Sequence, residues 1–147
     1  MKIVIASDHA GYVLKMVVVD HLKSIGVTVV DLGTNDSSTS VDYPDYAKKV
    51  AKEVSADKDV FGILVCGTGI GMSITANKFR GVRAAAVSEP FSARMSRMHN
   101  DSNILCFGSR VVGNGLAIDI VNAWLNAEFE GGRHANRLKK IFEIEKN

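Results

Sequence analysis

Five short apolar runs, alternating with segments of helical spacing, constrain this chain more than any other feature. The runs are Ile3 to Ala6, Val27 to Leu32, Val60 to Val65, Gly81 to Val87 and Asn103 to Phe107. Each is short and almost continuously apolar, as strands buried on both faces are. Between the first two, Val13, Leu14, Val17, Val18 and Leu22 fall at helical spacing, so residues 12–25 read as a helix stopped by Gly26. Asp42-Tyr43-Pro44 opens the next helix, with Asp42 near the cap and Pro44 in the first turn. Glu89-Pro90 starts another that runs through Met98 and ends at His99-Asn100-Asp101. A long helix over 113–129 carries Leu116, Ile120, Val121 and Trp124, and a last one runs from Arg133 to about Ile144. The polar segment 33–41, rich in Ser and Thr, is the one candidate mobile stretch.

This alternation predicts an α/β fold: a three-layer, doubly wound, five-stranded parallel sheet of Rossmann-like type, with a C-terminal helix. At 147 residues it should be a single domain, 1–147, burying roughly 70% of its unfolded surface. A net charge of +2 with no basic run argues against nucleic acid as a partner. Lys139-Lys140 stands beside Glu143 and Glu145, as on a solvated helix face. Two cysteines make no disulfide framework, which suits a reducing compartment. No run reaches the roughly 20 apolar residues of a membrane span, and the N-terminus lacks a signal-peptide pattern. The expected location is cytoplasmic.

Chemistry concentrates after the third run, in Cys66-Gly67-Thr68-Gly69-Ile70-Gly71-Met72-Ser73. A strand, a glycine-rich turn and a helix start bring free N–H groups up to an anion. The loop completes no nucleotide fingerprint, because Met72 stands where the dinucleotide pattern needs glycine and a phosphatase loop needs arginine. No Walker lysine is present. Cys66 at the strand end, beside a helix N-terminus, is expected to ionise readily. It then reads as a base next to an oxyanion hole. A small buried cysteine in a passive turn fits the loop equally well when it is taken alone.

In doubly wound sheets ligands bind beyond the carboxyl ends of the strands. Asp8 and His9 follow the first strand, Cys66 and Thr68 the third, while His99 precedes and Arg110 follows the fifth. All are expected on one edge of the sheet. Arg133 and Arg137, four apart, share a helix face and suit phosphate oxygens, with Arg110 as a third contact; a solvated basic surface is the alternative. A thiol base, backbone donors, histidines and a phosphate clamp together suggest proton abstraction beside a carbonyl, through an enediolate. The Cys and His spacings form no zinc set, so no metal is expected. His21, expected on an exposed helix face, and Cys106, expected in the core, receive no role.

Several motifs stand in the order of one known family. They are Ala6-Ser7-Asp8-His9-Ala10-Gly11, Asp42-Tyr43-Pro44, Cys66 to Ser73, Ala76-Asn77-Lys78, His99-Asn100-Asp101 and Gly131-Gly132-Arg133-His134. Along its whole length the chain resembles the family of sugar-phosphate isomerases that holds the type B ribose-5-phosphate isomerases and the galactose-6-phosphate and allose-6-phosphate isomerases. The resemblance implies a cofactor-free aldose–ketose isomerase, a homodimer or dimer of dimers, acting on ribose 5-phosphate.

By position, the resemblance makes Cys66 the base and Gly67, Gly69, Ile70, Gly71, Met72 and Ser73 the surround of the anion. Thr68 would move protons on the substrate oxygens, while Asp8 and His99 assist ring opening. Tyr43, His9 and Asn100 would line the sugar, and Arg110, Arg133 and Arg137 would take the phosphate, with His9 nearby. It also implies a site between subunits, with His99, Asn100 and Arg110 supplied by the partner. Some members use a glutamate as base, but residues 72–76 offer no carboxylate here. A six-carbon sugar phosphate isomerase and a non-catalytic nucleotide-binding module are the competing readings.

Overall fold

A computed structural model describes residues 1–147, and its strands all run parallel. In chain order the elements are β1 (Lys2–Ser7), α1 (Tyr12–Ser24), β2 (Thr28–Asp31), α2 (Tyr43–Ala56), β3 (Val60–Cys66) and α3 (Ile70–Ala76). They continue with β4 (Ala84–Ala86), α4 (Pro90–Asn100), β5 (Ile104–Gly108), α5 (Asn114–Leu125) and α6 (Arg133–Glu145). The sheet order is β2-β1-β3-β5-β4. The doubly wound α/β architecture with a C-terminal helix is thus the observed one.

Alternation along each strand divides the core into two layers. Ile3, Ile5, Ile63, Val65, Leu105 and Phe107 face α1 and α5, where Leu14, Val18, Ile120 and Trp124 meet them. Val4, Ala6, Leu64, Cys66, Ile104 and Cys106 face α2 and α3, against Val50, Val54, Met72 and Ala76. With helices on both faces, an apolar residue at every position is what burial requires. Strand order reverses between β1 and β3, so the turns leaving those two strands lie side by side. No helix is long and apolar enough to cross a membrane.

Several boundaries differ from the sequence reading. The fifth helix stops at Leu125, well short of 129. The chain leaves it so that the Glu130 N–H can bond the Met98 carbonyl (3.0 Å), and Gly131 and Gly132 then turn into α6 with positive φ. The fourth strand shrinks to three residues at the sheet edge, because Gly81 turns with φ +78° and the Arg83 N–H bonds the Asn103 side chain. By contrast, α4 extends through His99 and Asn100 and is closed by Asp101 in the left-handed region, φ 47°. The polar stretch is tied down where mobility was expected: Gly33 and Thr34 pair with Ser7, and Asp36 accepts the Ser38 and Thr39 N–H groups. Asp42 sits at the N-cap of α2 but makes no side-chain cap bond.

Candidate active site

At the carboxyl edge of the sheet, β3 ends on Cys66 and the chain folds back over it. Gly69, at φ +80°, lies so close to Phe107 that a Cβ there would meet its backbone at 2.8 Å. Only glycine allows that turn, and the turn aims the Gly69 N–H at Cys66 Sγ, 3.1 Å away. Cys66 as a residue is almost buried, at 5% exposure. Ser73 is the first amide of α3 to bond back, to the Gly69 carbonyl at 3.1 Å, which leaves those of Gly71 and Met72 at the open end of the helix. Thr68, exposed beside them, accepts the Ile70 N–H on Oγ1 (3.2 Å), so its own proton is free to be given.

The neighbouring turns complete this cluster. Asp8, buried after β1, accepts the Gly11 N–H at 2.9 Å. His9 accepts the Val41 N–H on Nδ1 at 3.1 Å, which assigns the ring proton to Nε2. The Tyr43 ring lies flush on the loop, because a Cβ on Gly71 would stand 2.6 Å from it. Arg110 follows β5, its N–H bonded to the Gly67 carbonyl (3.0 Å). Its guanidinium reaches to 3.4 Å from where a Gly67 Cβ would be. Arg110 also borders a cleft of about 420 Å³ between the starts of α1 and α5.

His99 is elsewhere, together with Asn100, Arg133 and Arg137, which corrects the expectation that sets His99 on the same edge as Cys66. The α4 helix descends to the start of β5, and Asn103 just beyond it bonds the Gly62 N–H near the start of β3. Cys66 is four residues further along that strand, about 13 Å at roughly 3.3 Å per residue. The His99 ring stacks on His134, with centroids 4.3 Å apart and planes 12° from parallel, so the N-terminus of α6 with exposed Arg133 and Arg137 is at this amino edge too. The candidate residues therefore fall into two groups on opposite edges of one sheet. Arg110 lies beside the Cys66 loop of its own chain. This differs from the expectation that groups it with His99 and Asn100.

At the amino edge Asn100 and Arg83 border a cleft of about 450 Å³. Two arginines hold its final turn: Arg83 donates to the carbonyls of Asn100 (3.0 Å) and Asp101 (2.9 Å), and both Arg83 and Arg97 pair with the Asp101 carboxylate. Burial pushes the Arg83 guanidinium below its ordinary value, and the Asp101 carboxylate works in the opposite direction. The ligand atoms of His99, Glu130 and His134 lie within 4.8 Å of one another. Stacked, near-parallel rings point their in-plane nitrogens side by side instead of toward one ion, so the trio packs and does not fit a metal. Glu130 Oε2 is 3.2 Å from the buried His134 Nε2 but out of line, and that nitrogen has no hydrogen-bond partner. Of the two residues given no role, Cys106 is fully buried and its thiol is pushed up by that burial. His21 is half-buried, its Nε2 2.7 Å from Asn122 Oδ1, where exposure was expected.

Sequence reasoning passed over Lys15, Arg83 and Glu130. For Lys15 a signal existed, a lysine in register with Val19 and Leu22 on the apolar face of its helix. For the other two none did, since their partners are set by packing between helix ends.

A family model described as Ribose/Galactose Isomerase matches residues 3–141. The ribose-5-phosphate isomerase B of Escherichia coli (strain K12) is 55% identical over 98% of this chain and 96% of its own. The structure of Clostridium thermocellum ribose-5-phosphate isomerase B superposes with a TM-score of 0.96 at 57% identity, covering 99% of this chain and 98% of that one. The Mycoplasma genitalium ribose-5-phosphate isomerase B, solved with bound ribulose 5-phosphate, gives a TM-score of 0.96 at 46% identity, over 99% and 97% of the two chains.

Proposed function

The chain belongs to the ribose/galactose isomerase family, and on that premise we propose that it interconverts ribose 5-phosphate and ribulose 5-phosphate, with Cys66 as the base. The observation that carries the reading is the Cys66 loop, a sulfur at a strand end facing an open helix start, with Gly69 N–H on it. Cys66 Sγ takes the proton from C2 of the open-chain aldose, and the electron pair moves into a C1–C2 enediolate. The loop amides stabilise the oxygen on which charge collects. Thr68 passes a proton from O2 to O1, and the sulfur returns its proton to C1, giving the ketose. Each proton taken from the substrate is returned to it and no electrons pass to the protein, so the step balances without an outside oxidant or reductant.

Asp8 and His99 open the sugar ring, His9, Tyr43 and Asn100 contact it, and Arg110, Arg133 and Arg137 bind the phosphate. Because His99, Asn100 and the α6 arginines are a sheet's depth from Cys66, a complete site takes one half from each of two copies. A two-fold pair makes two such sites at once. Residues 1–147 act as one domain that contributes to both. The test is purified protein with ribose 5-phosphate, allose 6-phosphate and galactose 6-phosphate, following ketose formation. Turnover fastest on ribose 5-phosphate supports the reading. Preference for a six-carbon substrate would move the protein within the family, and adenine nucleotide binding with no turnover would remove the isomerase reading.

A further inference from the structure

Lys15 lies in the first turn of α1 with no exposed surface, on the buried side of a helix that also buries Leu14, Val18, Val19 and Leu22. Its ammonium bonds Asp31 Oδ1 at 2.7 Å and the Thr34 carbonyl at 2.6 Å, and lies 5.3 Å from the centre of the Tyr12 ring. An ion pair whose lysine is fully buried, even with its aspartate partly exposed as here, is seldom a net gain over an apolar side chain of the same volume, because desolvation of the ammonium offsets the attraction. The lysine is therefore better explained by what it holds than by stability. We infer that Lys15 is a positioning residue, clamping the segment after β2 so that His9 and Tyr43 are set for the sugar phosphate. The inference rests on the proposed roles of those two residues.

The connection can be followed bond by bond. Asp31 Oδ1, held by Lys15, also accepts the Gly33 N–H at 2.8 Å. Gly33 and Thr34 pair with Ser7, the residue before Asp8 and His9, by Ser7 N–H to the Gly33 carbonyl (2.8 Å) and Thr34 N–H to the Ser7 carbonyl (3.0 Å). From that anchor the chain returns through the Asp36 turn to Val41, whose N–H fixes the His9 ring, and then to Tyr43 on Gly71. One ammonium thus sets the root of a segment whose far end orients two residues of the Cys66 half-site.

The test is Lys15→Met, which keeps length and apolar volume and removes the charge. Local release should speed exchange of the Val41 amide by about tenfold or more while the Ile63 and Leu105 amides keep wild-type rates. The His9 ring nitrogens should lose the signature of a single Nε2–H tautomer. KM for ribose 5-phosphate should rise by about tenfold with kcat within about threefold. An unchanged Val41 amide and His9 ring would overturn the inference, and so would faster exchange everywhere, the mark of a lysine that only supports the fold. If Lys15→Met does not fold, Asp31→Asn decides in its place. It keeps an acceptor for Gly33 and removes the counter-charge, and an undisturbed Val41 would again overturn the clamp. Exchange and ring signals need no substrate. A wild type that turned over no sugar phosphate would sink the isomerase reading while leaving the clamp to be judged.

Discussion

The two edges of the sheet are built from different materials. At the carboxyl edge the candidate groups are mostly backbone, the turn from Gly67 to Met72 with its Gly69 N–H on Cys66, and glycines stand where a Cβ would strike a strand or the Tyr43 ring. At the amino edge they are long side chains on helix ends, with His99 stacked on His134 and Arg133 and Arg137 reaching outward from the start of α6. A backbone hole cannot be moved without remaking the turn, which suits charge that develops at one fixed oxygen. Guanidinium forks can follow a phosphate, which suits binding that changes little along the reaction. Cys66 and its loop should therefore govern the enediolate step, and the α6 arginines of the other edge affinity, while His99 there serves ring opening.

Cys66→Ala is the sharpest test of that division. Loss of the proton-transferring group should lower kcat by about 10²–10⁴-fold, with sugar phosphate binding and the melting temperature close to wild type. Ketose formation, calorimetric titration and a thermal melt are the three measurements, and near-normal turnover would take the thiol out of the mechanism. Alkylation gives a companion result. Iodoacetamide should label Cys66 and spare Cys106, whose thiol burial pushes up.

Arg137→Ala, on the other edge, should raise KM about ten- to a hundredfold, the worth of one charge-assisted contact, and change kcat much less. A fall in kcat at constant KM would erase the contrast between the edges.

Mixing damaged halves should give a smaller effect that bears on whether they belong to different chains. Cys66→Ala and a His99→Asn, Arg137→Ala double variant should each be inactive alone. Co-expressed in equal amounts, half of the pairs are mixed, and each mixed pair has one intact site, so about one quarter of wild-type activity should return. Mixed pairs seen by mass spectrometry yet inactive would put both halves in one chain.

The same contrast explains what could be read from the sequence. Cys66 to Ser73 is contiguous, so glycine spacing and the preceding strand were enough to propose a base beside an anion hole. The strands were legible because burial on both faces leaves them nearly all apolar. His99 was misplaced by an edge, since lying just before β5 in sequence means lying at its amino end in space. The end of α5 was overrun because a bond from Glu130 to the Met98 carbonyl, not local periodicity, decides where the chain turns. Lys15 was passed over for a related reason. A helical pattern marks which face is buried and says nothing of what a charge on that face will find.

The smallest expected effect concerns α4, the helix that joins the two edges. Glu89 caps its start by accepting the Ser92 N–H on both carboxylate oxygens (2.8 and 3.0 Å), and His99 stands in its last turn. The Ser92 bond holds the Glu89 carboxyl below the ordinary glutamate value, with nearby Arg94 assisting. A carboxyl lowered on folding stabilises the native state above its unfolded value, and that stabilisation is lost as pH falls through the folded one. Since Glu89 stands at the surface in contact with solvent, screening weakens the effect and the shift in midpoint should be small. Glu89→Gln should therefore melt slightly below wild type at neutral pH, and the gap should close on acidification as the wild-type cap is protonated. Because the cap is a full helix away from the stacked histidines, His99 ring signals should not follow that titration. A His99 signal that moved with the Glu89 carboxyl would mean that α4 transmits the state of one edge to the other, and the two halves could no longer be treated as independent.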